Sequence, residues 1–141
     1  MSKVLGLDLG TKTLGIAISD SLRIAAHGLE NFRFEIGNYK AAREHVLEIV
    51  KKENITEIAL GYPLNMSGIA GERCESVNRF KSDLEKENNN LKITLIDERM
   101  TTIIANNRLL EADLSRAKRK EVIDKMSAVV ILESYLSKGG N

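Results

Sequence analysis

The sequence predicts an α/β fold in which a mixed five-stranded sheet carries helices on both faces. Five short runs read as strands, at Lys3–Leu9, Leu14–Ser19, Ile24–Phe34, Ile55–Pro63 and Leu91–Arg99, the first of them apolar and free of helix punctuation. The first three follow one another across turns, and amphipathic stretches of helical period separate the later ones. Hairpin steps give antiparallel pairing, and the helix crossovers that follow give parallel, right-handed connections.

The first run is a strand, and Gly10–Lys12 turns the chain into the second as a hairpin. Ile24–Phe34 alternates less cleanly and is expected at an edge, with Gly37 ending it. In "YKAAREHVLEIVKKEN", Ala42, Val46, Ile49 and Val50 recur at helical spacing with charges opposite, which predicts an amphipathic helix. "ITEIALGYP" is a buried strand halted by the only proline, Pro63, before the glycine-rich loop "NMSGIAG". Glu72 to Glu87 is expected to be helical, ended by Asn88–Asn90, and "LKITLIDER" is the fifth strand. Thr101 or Thr102 caps a short helix through Leu110, and a final helix runs from about Lys118 to Leu136. The expected organisation is one domain over 1–138 with a loose tail at 139–141.

A chain of 141 residues can bury a core without disulfides or a structural metal. Net charge is +1, so binding to nucleic acid would need a local basic patch rather than a global field. The single cysteine, Cys74, excludes an intrachain disulfide, and its spacing to the two histidines suggests no zinc site. Without a leader-like start or a run long enough to span a bilayer, the expected location is the cytoplasm, with no membrane partner. An aromatic content of 4% argues against a single-strand binder built on stacking platforms.

Within "LGLDLGTKTLGIAISD", Asp8 stands in the middle of an apolar strand, where an unpaired carboxylate is expensive. Asp97 and Glu98 lie at the carboxyl end of the fifth strand, where ligand crevices open in α/β sheets. Asp124 shares a helix face with Ala128, Ile131 and Tyr135. Taken alone, Asp124 reads more readily as a surface acid favoured by the helix dipole, and Glu98 equally well as a strand-end charge. Together, three acids approaching one point raise each other's pKa values, and a divalent cation such as Mg²⁺ or Mn²⁺ resolves the conflict. Such carboxylate-held ions support phosphodiester cleavage.

Asn65 in the loop could donate to a phosphate or hold a metal-bound water, although turn propensity explains it equally well, and Lys12 could meet a phosphate or be an ordinary hairpin-tip lysine. Arg116, Lys118, Arg119 and Lys120 precede the Asp124 helix and could neutralise flanking phosphates, although a charge run is more often a solvated face. His27, His45 and Cys74 read as structural.

Together "GLDLGTKTLGIAISD", "LGYPLNMSG", "IDERMTT" and "KEVIDKMSAVVILESYL" resemble the YqgF family, bacterial proteins described as pre-16S rRNA nucleases and as Holliday-junction-resolvase-like. The resemblance spans almost the whole chain. It implies a ribonuclease-H-like fold, metal-dependent endonuclease chemistry and a part in maturing the 5′ end of small-subunit ribosomal RNA. It carries the family's acids onto Asp8, Glu98 and Asp124 as metal ligands and catalytic groups. Lys12, Asn65 and Arg99 are then candidates for positioning the phosphate backbone. The chain departs from the family loop at Tyr62, where leucine is usual, and at Ser67, where aspartate is usual. In such a sheet the fourth strand separates the first from the fifth, so those two lie about twice 4.8 Å apart. Glu98 is therefore expected to reach a shared ion from beyond the strand end, over Asn65, and the Mg²⁺ or Mn²⁺ is expected to bind chiefly with substrate. The expected partners are pre-rRNA or branched DNA and ribosomal precursor particles, with the protein a monomer or weak homodimer.

Three other readings compete. The opening hairpin also looks like the first phosphate-binding motif of sugar kinases and Hsp70-type ATPases, which need a second similar domain that 141 residues leave no room for. Resolution of branched DNA calls for a two-fold dimer. A non-catalytic RNA-binding module would have no need of all three acids.

Overall fold

The structure is a computed structural model that describes residues 2–64, 71–98 and 116–138, the last of these with side chains from Lys125 onward. Five strands form one sheet: β1 (Val4–Leu9), β2 (Thr13–Ser19), β3 (Ala26–Arg33), β4 (Glu57–Tyr62) and β5 (Lys92–Asp97). Their order is β3-β2-β1-β4-β5. β1 and β3 pair antiparallel with β2, whereas β1–β4 and β4–β5 are parallel, as the hairpin-then-crossover order predicts. The helices are α1 (Tyr39–Glu53), α2 (Glu72–Glu87) and α3 (Arg116–Ser137). The short helix expected to end at Leu110 and the tail at 139–141 lie outside the described residues.

Strand alternation sorts the side chains into two cores. Leu5, Leu7 and Leu9 of β1 point to one face, where Ala42, Val46 and Val50 of α1 and Val77, Phe80 and Leu84 of α2 cover them. Val4 points to the other, with Ala59 and Ile96, under Ala128, Ile131, Leu132 and Tyr135 of α3. Helix α3 approaches β1 at Gly6, where an added Cβ would lie 2.7 Å from both the Ala128 carbonyl oxygen and the Leu132 Cβ. Only a residue without a side chain lets helix and strand backbones meet so closely.

Helix α1 starts where Asn38 accepts from the Ala41 amide at 3.4 Å, and it ends at Asn54, whose φ of 55° lies in the left-handed region that asparagine tolerates. The uneven alternation of β3 has a local cause. Ile16 pairs with Glu30 and Ala17 with Gly28, so Leu29 is bulged out of the ladder and stands exposed.

Candidate functional site: an acid pair at the carboxyl ends of three parallel strands

Asp8 follows Val4 and Gly6 on the α3 face of β1, by the strand's period of two. It is half-buried, rather than buried outright as the sequence suggests. Glu98 lies just past β5, on the same face as Ile96, and its amide still donates to the Tyr62 carbonyl at 3.1 Å. The ladder therefore continues through Glu98, and its side chain is 9% exposed.

The two carboxyl groups meet although β4 separates their strands. Glu98 hydrogen-bonds Asp8. Burial first, then the Asp8 charge and this hydrogen bond, push the Glu98 carboxyl up to about 9, against a smaller opposing pull from Arg73. At neutral pH the pair therefore holds a proton that two separate carboxylates would not keep.

The expected route over Asn65 lies outside the described residues. Among the described residues, Glu98 crosses the strand at Gly61, where an added Cβ would sit 2.6 Å from Glu98 Cδ and 2.8 Å from Oε2. Sequence reasoning passed over Gly61 as part of an apolar strand. The available signal was a glycine inside a strand pattern, which often marks a close approach by another group.

Asp124 lies in α3, one turn before Ala128, and its side chain is outside the described residues. The run of the helix is informative. Tyr135 donates to Glu57 at the amino end of β4, and Ala128 meets Gly6 further along β1. The turn that carries Asp124 therefore lies toward the Asp8 end of the sheet. Arg99 is outside the described residues, and Lys12 is exposed at the hairpin tip. Among the described residues, no three His, Cys, Asp or Glu side chains gather as a metal site.

Arg73, in the first turn of α2, was missed. Its Nη2 donates to the Leu9 carbonyl at 3.1 Å, and its charge acts on Glu98. It lines a cleft of about 200 Å³ with Leu9, Gly10, Thr11 and Tyr39. An arginine in the first turn opposes the helix dipole, and that was the signal. Cys74 is buried beside Glu98, and His45 stacks on Phe32 at 4.1 Å and pairs with Glu30. His27 is exposed. No helix among the described residues is long and apolar enough to cross a membrane.

A "Putative pre-16S rRNA nuclease" of Oceanobacillus iheyensis is 44% identical over 134 residues, covering 95% of this chain and 97% of that protein. One of the same name from a Geobacillus species is 47% identical, with 95% and 96% covered. Among solved structures, the Thermus thermophilus RuvC bound to a Holliday junction substrate matches with TM-score 0.60 at 13% identity, over 99% of this chain and 97% of that one. The fowlpox virus Holliday junction resolvase matches with TM-score 0.61 at 13% identity, over 96% and 98%. At such identity these two show the fold alone, which is ribonuclease-H-like. Residues 2–138 match the family model described as "RuvX: Holliday junction resolvase". The chain thus belongs to the RuvX family of nucleases, the family that its motifs resemble under the name YqgF.

Proposed function

We propose that this protein is a divalent-cation-dependent endonuclease that processes the 5′ end of pre-16S rRNA. The observation that carries the reading is the Asp8–Glu98 pair, two acids on separate strands turned toward each other at the carboxyl edge of the sheet. Such an arrangement raises the energy of the protein alone and becomes favourable when a cation replaces the shared proton. The donors are hard carboxylate oxygens, which suit Mg²⁺ or Mn²⁺. Asp8, Glu98 and Asp124 would hold the cation, and when bound it supplies Lewis acidity at the scissile phosphate and lowers the pKa of water.

The remaining work falls to the chain itself. Asp8 would be the central ligand, and Glu98 would have to be deprotonated to serve beside it. Arg73 neutralises a neighbouring phosphate from the cleft beside the pair, and Lys12, Asn65 and Arg99 orient the backbone. The products carry 5′-phosphate and 3′-hydroxyl ends. The RNA substrate is supported by the relatives' name, "Putative pre-16S rRNA nuclease".

Cleavage of branched DNA is the second reading, favoured by the family's description as a Holliday junction resolvase. It calls for a two-fold dimer, which solution mass would reveal. The deciding experiment incubates wild type and Asp8→Asn with ribosomal-RNA precursor and with four-way DNA, each with Mg²⁺ or Mn²⁺. Cleavage of the RNA by wild type, lost in a well-folded Asp8→Asn protein, is expected. Equal cleavage by both proteins would refute the role given to Asp8.

A further inference from the structure

We propose that Gly61 is a positioning residue for the acid pair: the side chain it lacks leaves the passage by which Glu98 crosses β4 to reach Asp8. The local geometry supports a role in spacing rather than in chain flexibility. Among the described glycines only Gly37 has a φ in the left-handed region, so the backbone at Gly61 is open to any residue. What forbids a side chain there is space. A Cβ would lie 2.6 Å from Glu98 Cδ, 2.8 Å from Glu98 Oε2 and 2.6 Å from Ile131 Cδ1. Real Cβ atoms do not sit that close, so something must give.

The two obstacles differ in how they can respond. Ile131 is fully buried in the α3 core and cannot withdraw without opening a gap. The Glu98 carboxyl is the far end of a flexible side chain at the edge of the sheet, so it is the group that yields. A methyl group at position 61 therefore turns Glu98 away and parts it from Asp8. Parallel strands lie about 4.8 Å apart, so Asp8 and Glu98 approach from strands roughly twice that distance apart, and one intervening side chain is enough to block the way. The identity of residue 61 thus decides whether the fifth strand can contribute an acid to the site.

The test uses the full chain in an Ile131→Val background, which removes the Cδ1 atom and leaves Glu98 as the one obstacle. Far-ultraviolet circular dichroism checks that each variant folds. The first readout needs neither metal nor substrate. Glu98→Gln keeps the side-chain shape and replaces the acid that faces Asp8 with a neutral amide. With Gly61 present it is expected to raise the thermal midpoint at pH 8 by about 5 °C. In Ile131→Val/Gly61→Ala the same change is expected to move the midpoint by less than about 1 °C, because the contact has already been broken.

An equal gain in both backgrounds would show that Gly61 does not govern the contact, and no gain in either would show that the contact does not form. Either result overturns the inference. The second readout rests on the proposed function: calorimetric titration with Mn²⁺ alone, in which Gly61→Ala is expected to weaken binding by about 10–100-fold. If Ile131→Val itself binds no Mn²⁺, the ion does not bind without substrate, and the thermal cycle alone decides the role of Gly61. If it binds Mn²⁺ and Gly61→Ala leaves the affinity within about twofold, the inference is overturned.

Discussion

Glu57 and Glu98 sit at opposite ends of the same parallel strands, and the chain treats them in opposite ways. Glu57, at the amino end of β4, is surrounded by compensation. It forms an ion pair with Arg23, accepts from the Tyr135 hydroxyl at 2.8 Å and lies 3.8 Å from Lys92 Nζ. Arg23 holds a left-handed backbone, with φ of 59°, that most side chains avoid, and it also donates to the Ser2 carbonyl at 2.9 Å and the Ser2 hydroxyl at 3.2 Å. Glu57 in turn helps to push the Tyr135 hydroxyl above its ordinary range, after burial itself.

Glu98, at the carboxyl end, faces another acid, with Arg73 as a weaker counterweight. Compensation at the amino end fastens β1, β4 and α3 together. Its shortfall at the carboxyl end leaves two acids facing each other. One fold thus uses the same residue type as a fastener at one end and, in the function proposed above, as a cation ligand at the other.

The contrast can be broken or sharpened in four ways. The largest expected effect is Asp8→Asn on cleavage, a fall of about 10³-fold with the fold intact, read in the two-substrate assay. The converse is Arg23→Ala, which leaves the half-buried Glu57 with only the Tyr135 hydroxyl and the more distant Lys92 as compensation. It should lower stability by about 2–3 kcal/mol while leaving cleavage per folded molecule unchanged, and urea unfolding with an activity assay would show both. A loss of activity without a loss of stability would erase the distinction between the ends.

Glu98→Gln should do the reverse and stabilise the metal-free protein by about 1–2 kcal/mol near pH 7. Here the sign follows from the shift. The folded pKa, about 9, lies above the ordinary 4.5, so the native state binds the extra proton and wild type loses stability as pH rises between those values. The gain from glutamine should therefore vanish below about pH 4.5, and Mg²⁺ should stabilise wild type more than the variant in thermal melts. A gain that persists at pH 4 would show that the cause is not the buried carboxyl. The smallest effect belongs to Arg73→Ala, which should weaken nucleic-acid binding by about 5–10-fold and flatten its salt dependence by about one phosphate. Filter binding at several salt concentrations would measure both.

The order of elements was legible in the sequence because each has a period of its own, and the α2 boundaries, Glu72 and Glu87, are those that the sequence predicts. Asp8 was legible as an acid in an apolar strand, and Glu98 as an acid at a strand end. What joins them was not. Whether two side chains meet across an intervening strand depends on what that strand presents at one position, and the glycine in "ALGYP" signals a close approach without saying which group approaches. The bulge at Leu29 was hidden for a similar reason, because one inserted residue only blurs the alternation from which register is inferred. Arg73 was lost among the many charges of an amphipathic helix, whose partners become visible only once α2 is laid against the hairpin.

The close seating of α3 on Gly6 bears on the lengths of the acids. Where two backbones touch with nothing between them, a one-carbon arm suffices to bridge the gap. Aspartate at 8 suits such proximity, whereas the acid that must reach across a whole strand is the longer glutamate. Exchanging the two acid types would leave formal charge untouched and alter only reach, so Asp8→Glu and Glu98→Asp ask whether the molecule measures distance as strictly as it measures charge.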